Sequence, residues 1–140
     1  MSARFFKNPW TRTTGLILGF AAFAGATTAN PSIGEVNFIT EGLINTAIAY
    51  EIDQKCDSLD GRIVAGVNFL WSLKAHASEL GFSDDEIKAY IDNEAEKDRL
   101  EAIARARLRD MGAVEGDWET YCAVGRSEMS AGSQIGRLLK

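Results

Sequence analysis

The chain has 140 residues, with 15 Lys and Arg, 20 Asp and Glu and a single His, for a formal charge of −5. That length suits one small domain, and 46% apolar with 25% charged residues excludes wholesale disorder. The acidic balance excludes a broad nucleic-acid surface, which needs an excess of Lys and Arg.

Residues 1–29 read as a secretory signal peptide. Arg4, Lys7 and Arg12 give a basic start without an acid, and Gly15 to Ala26 is an uncharged run rich in Leu, Phe and Ala. Small residues then offer cleavage after Ala26 or after Ala29. The apolar core is shorter than the roughly 20 residues of a membrane span; the alternative is an uncleaved helix kept as an anchor. Basic residues ahead of an apolar segment hold the N-terminus inside. The domain 30–140 is therefore expected outside the cytoplasm, most simply in a bacterial periplasm. Loss of the signal leaves 12 cations against 20 acids, a charge of −8.

The rest of the chain reads as all-α, a small bundle of four to five helices. No run alternates apolar and polar residues as a half-buried strand does, and Asp60-Gly61 joins two helical patterns rather than two strands. Ser32-Ile33-Gly34-Glu35, behind Pro31, has the form of a capping box, so the first helix is expected from Ser32 to about Lys55. Val36, Ile39, Leu43, Ala47 and Tyr50 line one face, and Phe38, Ile48 and Ile52 run nearly opposite. A helix apolar on two sides must be covered on two sides: it is central to the bundle, or one side meets a partner.

The second helix is expected from about Arg62 to Leu80, with Ile63, Val67, Leu70, Trp71 and Ala77 as its buried face and Gly81 closing it. Asn68, Ser72, His76 and Glu79 would face solvent. Ser83-Asp84-Asp85-Glu86 is a second capping box, with acid where the helix dipole favours it. The helix it opens can run to Met111, but its apolar stripe slips. Ile87, Tyr90, Ile91 and Ala95 form one line, and Leu100, Ala104, Leu108 and Met111 form another, turned by about 110°. A bend, or packing on two neighbours, is expected across Asn93 to Arg99. Gly112 to Gly116 is a loop, Asp117 an N-cap, and the next helix runs from Trp118 to about Met129. The tail, Ser130 to Lys140, combines apolar Ile135, Leu138 and Leu139 with basic Arg137 and Lys140. It reads as a last turn packed on the bundle or as a docking segment.

Cys56 and Cys122, separated by 66 residues, form an even pair in an exported domain and read as one disulfide. Free buried thiols or a metal pair are the alternatives, and the only further nitrogen ligand would be His76. No CxxC redox motif occurs. Chemistry is otherwise sparse. His76 with Glu79 lacks a nucleophile and a third ligand, and Asp84 to Glu86 are explained by the helix start. Arg105, Arg107 and Arg109 suit a helix end better than an anion site. No phosphate loop, dinucleotide fingerprint, EF-hand loop or GxSxG elbow is present. No enzyme activity, cofactor or metal is therefore expected.

The stretch Tyr121-Cys122-Ala123-Val124-Gly125-Arg126, followed by Gly132-Ser133-Gln134-Ile135-Gly136-Arg137-Leu138-Leu139, resembles the C-terminal signature of a small family of exported bacterial helical domains of unknown function. The likeness extends over most of the exported part, including Cys56. It implies a periplasmic accessory subunit of the proton-pumping NADH dehydrogenase, and no catalytic residues. The expected function is a non-enzymatic accessory or assembly subunit of that respiratory membrane complex. A soluble periplasmic chaperone, or an inhibitor or immunity-type binding protein, is the alternative. The expected partner surface is the second line of the first helix, Phe38, Ile48 and Ile52, with Ile135, Arg137, Leu138 and Leu139 of the tail. Membrane contact would come only through the partner or an uncleaved signal.

Overall fold

The structure, a computed structural model, describes residues 31–140. The signal segment and its cleavage positions lie outside the described residues. A 3-10 turn, Ile33–Glu35, precedes six helices: α1 (Asn37–Lys55), α2 (Ile63–Glu79), α3 (Asp84–Ile91), α4 (Glu94–Asp110), α5 (Trp118–Ala131) and α6 (Gln134–Arg137). Among the described residues there is no strand beyond isolated bridges. The all-α expectation holds.

The capping box at Ser32 is real but opens the 3-10 turn instead of the long helix. Glu35 accepts from the Ser32 backbone N–H at 2.7 Å, and Val36, in an extended conformation, separates the turn from α1. The box at Ser83 does open its helix: the Glu86 N–H donates to Ser83 Oγ at 3.2 Å, and Glu86 accepts from the Ser83 N–H at 2.7 Å. The long third helix breaks at Asp92-Asn93 into α3 and α4. Asn93 caps the second piece, its side-chain oxygen accepting from the Glu96 N–H at 3.1 Å. The slipped stripe follows, since Ile87 packs with Ile33, Ile39 and Ala77 whereas Leu100, Ala104 and Leu108 join the main core.

The helix α1 is the central element. Ile44, Ile48 and Ile52 are almost fully buried among α4, α5 and the C-terminal turn. Each such side chain contributes about 1.5–3 kcal/mol of apolar burial. Glycines set the close approaches. A Cβ at Gly125 of α5 would come within 2.5 Å of Leu59 and 3.0 Å of Ile52. Cys56, just past α1, bonds Cys122 of α5 with Cα atoms 5.1 Å apart. The expected disulfide is formed, and both cysteines are buried.

The tail is packed. Gly132 ends α5 in the left-handed conformation at φ 61°, and Ser133 Oγ caps α6 by accepting from the Gly136 N–H at 3.0 Å. Ile135, Leu138 and Leu139 enter the core. The last residues pair with the link after α1: the Arg62 N–H donates to Leu138 O at 2.7 Å, and the Lys140 N–H to Asp60 O at 2.9 Å.

The buried face of α2 departs from expectation. Ile63, Val64 and Trp71 are exposed by 73, 74 and 62%, and Val67 and Leu70 by 47 and 40%. The buried residues are Leu73 and Ala77, with Phe69 partly covered. The cause is a notch on α1. A Cβ at Gly42 would be 2.8 Å from Leu73 Cδ2 and 3.2 Å from the tip of Phe69, so Gly42 admits the Phe69–Leu73 side of α2 and turns its other apolar side outward.

Candidate functional site

Both α2 and α4 rest on α1, and an apolar groove runs between them with α1 as its floor. Leu43, Ala47 and Tyr50 form the floor, Leu70, Leu73 and Ala77 one wall, and Leu100 and Ala104 the other. Ile87, Tyr90 and Ile91 of α3 close one end. The groove encloses about 570 Å³. Small side chains at Ala47, Ala77 and Ala104 make the room. The outward face of α2 continues this apolar surface across Leu70 to Val67, Ile63, Val64 and Trp71. Contiguous exposed apolar patches of this kind are characteristic of interaction surfaces.

The polar groups on the rim are engaged. Glu51 meets Lys55 at 3.1 Å and Arg105 at 3.5 Å, and Glu101 meets Arg105 at 3.4 Å. Lys97 meets Glu94 at 3.3 Å, and Lys74 meets Asp84 at 3.5 Å while lying 5.4 Å from the Trp71 ring centre. Tyr90 Oη donates to Glu96 at 2.9 Å. Burial, then the bond to that carboxylate, pushes the Tyr90 phenol up to about 12. The Arg99 guanidinium, 2.6 Å from Glu96, holds the Glu96 carboxyl below its ordinary value. A carboxylate held ionised in this way is a poor proton acceptor at neutral pH. The groove is thus built for apolar contact within a rim of paired charges.

His76 lies against Phe38, with ring centres 4.8 Å apart, and its Nδ1 is 3.9 Å from Glu79, beyond hydrogen-bond reach. No group of His, Cys, Asp and Glu among the described residues could hold a metal ion. On the far side, Lys55 lies 4.9 Å from the Tyr121 ring centre and 5.5 Å from that of Trp118, while Tyr121 Oη donates to Glu115 at 2.9 Å. This cluster braces the disulfide end of the bundle.

The expected partner residues are divided by the fold. Phe38 is 53% exposed at the edge of α2. Ile48 and Ile52, at 1 and 0%, are corrected to core residues: the second apolar side of α1 is covered by this chain's own α4, α5 and tail. Ile135, Leu138 and Leu139 are likewise core, because the tail folds back onto Cys56 to Arg62. Arg137 is exposed, and its Nε donates to Gly132 O at 3.0 Å within the turn. Four residues of the expected buried face, Ile63, Val67, Leu70 and Trp71, instead form an open surface together with Val64. Their signal was present: α2 carries apolar residues on both sides, and Phe69, Leu73 and Ala77 make a second stripe at helical spacing.

Residues 31–140 match a family described as "Family of unknown function (DUF5333)". The chain belongs to that family. No curated protein and no solved structure matches the DUF5333 chain. The C-terminal stretch that carries the family likeness has a structural account. Gly132 supplies a left-handed turn and Ser133 a cap. Gly136 lies so close to the Glu128 carbonyl that a Cβ there would collide with backbone. No helix among the described residues is long and apolar enough to cross a membrane.

Proposed function

We propose that this domain is a non-enzymatic, exported accessory or assembly subunit of a respiratory membrane complex of the NADH dehydrogenase type. The observation that carries the reading is the continuous apolar surface of the groove and outer α2, a docking face on a domain whose rim charges are already paired. The secretory pattern of residues 1–29 supports an exported location, and a buried disulfide suits an oxidising compartment. The choice of complex rests on what the resemblance of the C-terminal stretch implies.

Mild-detergent purification of the NADH dehydrogenase from cells making this protein tests the reading. The chain is expected to co-purify, and Leu70→Glu, an exposed substitution that leaves the isolated domain folded, is expected to remove it. Absence of the wild-type chain from the complex overturns the reading. If the free protein then suppresses aggregation of an unfolded client, a periplasmic chaperone takes its place.

A further inference from the structure

The stretch from Arg62 to Ser78, nearly the whole of α2, carries no Asp or Glu in a chain that holds 20 of them. Its outer side shows Ile63, Val64, Val67, Leu70 and Trp71, the first two exposed by 73 and 74%. Side chains this open form a convex ridge. The opposite side is fixed on the bundle by Leu73 and Ala77, so α2 lies along the surface with one apolar side held and the other free. At 17 residues it is about 25 Å long, and it is not long and apolar enough to cross a membrane.

The free cations of the domain gather at the head of this ridge. Among the described residues every Lys and Arg forms an ion pair with an acid except Arg62, Arg109, Arg137 and Lys140. Three of these four meet where the tail pairs with the start of α2. Leu139 bridges to Gly61, and the Arg62 guanidinium donates to Arg137 O at 3.2 Å. Arg62, Arg137 and Lys140 are all exposed. The acids at this end are Asp53, which accepts from the Gly61 N–H at 2.6 Å, exposed Asp60 and the terminal carboxylate. None of them pairs with the three cations, whose charges stay available to an outside anion.

A convex apolar ridge needs no matching cavity in a fluid interface, where a helix lying in plane buries its apolar side at the headgroup boundary and Trp is favoured. We propose that outer α2 rests directly on an anionic lipid bilayer. Ile63, Val64, Val67, Leu70 and Trp71 enter the acyl boundary, and Arg62, Arg137 and Lys140 meet headgroup phosphates. The acid-free run keeps carboxylates away from that surface. The contact goes beyond the accessory role and does not rest on it: the groove remains for a protein partner, and outer α2 takes the lipid beside it.

Flotation of the exported protein tests this, with vesicles of phosphatidylcholine alone and of equal parts phosphatidylcholine and phosphatidylglycerol. Binding is expected to be at least about fivefold stronger to the mixed vesicles and to weaken with salt. In Trp118→Phe, Trp71 is the only tryptophan after residue 29, and lipid brominated along its chains should quench it. Val67→Asp should weaken binding to both vesicles about tenfold or more. Arg62→Gln and Lys140→Gln should each weaken binding to the mixed vesicles about fivefold and leave the neutral ones unchanged. Circular dichroism of each variant confirms folding. Protein that stays free of both vesicles overturns the proposal, as does binding that Val67→Asp leaves intact or that leaves Trp71 unquenched. Equal binding to the two compositions overturns the headgroup contact. Co-purification with the respiratory complex without vesicle binding overturns it too, and makes outer α2 a protein-docking face.

Discussion

The Tyr90 hydroxyl bridges two parts of the bundle, since the ring lies at the end of α3 and the Glu96 it bonds is in the first turn of α4. Its ionisation is held up to about 12 by burial and by the neighbouring carboxylate. The protonated phenol is thus favoured in the fold, and the stability it adds is present below its ordinary value of 10.0 and lost as pH rises toward 12. Carboxylates act with the opposite sign. Glu41 is lowered by its bidentate bond to Arg107, at 2.5 and 2.7 Å, and Glu96 by Arg99. Their contribution is present above 4.5 and lost as pH falls below it. A urea-unfolding series against pH is expected to fall at both ends. Tyr90→Phe should cost about 1 kcal/mol at neutral pH and flatten the alkaline limb selectively. Equal alkaline loss in both proteins would show that Tyr90 does not govern it.

The disulfide joins the end of α1 to the inner face of α5, and it closes a segment containing α2, α3 and α4. In the loop-entropy picture a separation of 66 residues is worth about 4 kcal/mol. Replacing both cysteines by Ser should lower the melting temperature by on the order of 20 °C while keeping helical circular dichroism at low temperature. A loss of only a few degrees would mean that the unfolded chain is already restricted. This pairing was legible from cysteine parity in a chain whose start reads as a secretory signal, and the all-α class and the break near Asn93 from helical spacing and capping residues. The covered side of α1 was legible only as an alternative, and it was resolved when the tail was found folded back over Ile52. The orientation of α2 was not legible. Its two apolar stripes are equivalent by spacing, and the choice depends on Gly42, a residue 31 positions away from Leu73 in the chain, whose missing side chain becomes a notch only when the helices pack. The groove was invisible for the same reason, because it is a gap between α2 and α4 and neither helix encodes it alone.

Across the whole molecule, stability is unevenly distributed. The helices α1, α4, α5 and α6 share one core with the disulfide, whereas α2 is attached mainly to α1 and α3 and buries only Leu73 and Ala77. An element with few buried side chains opens at lower free energy than the core. In dilute solution the amides of Ile63–Glu79 should therefore exchange with solvent at least about tenfold faster than those of Ile44 to Ile52, a difference of roughly 1.4 kcal/mol. Protection of α2 equal to that of α1 at every dilution would instead mean that the exposed helix is held by the bundle as firmly as the core, and that its apolar face is no weak point in the fold.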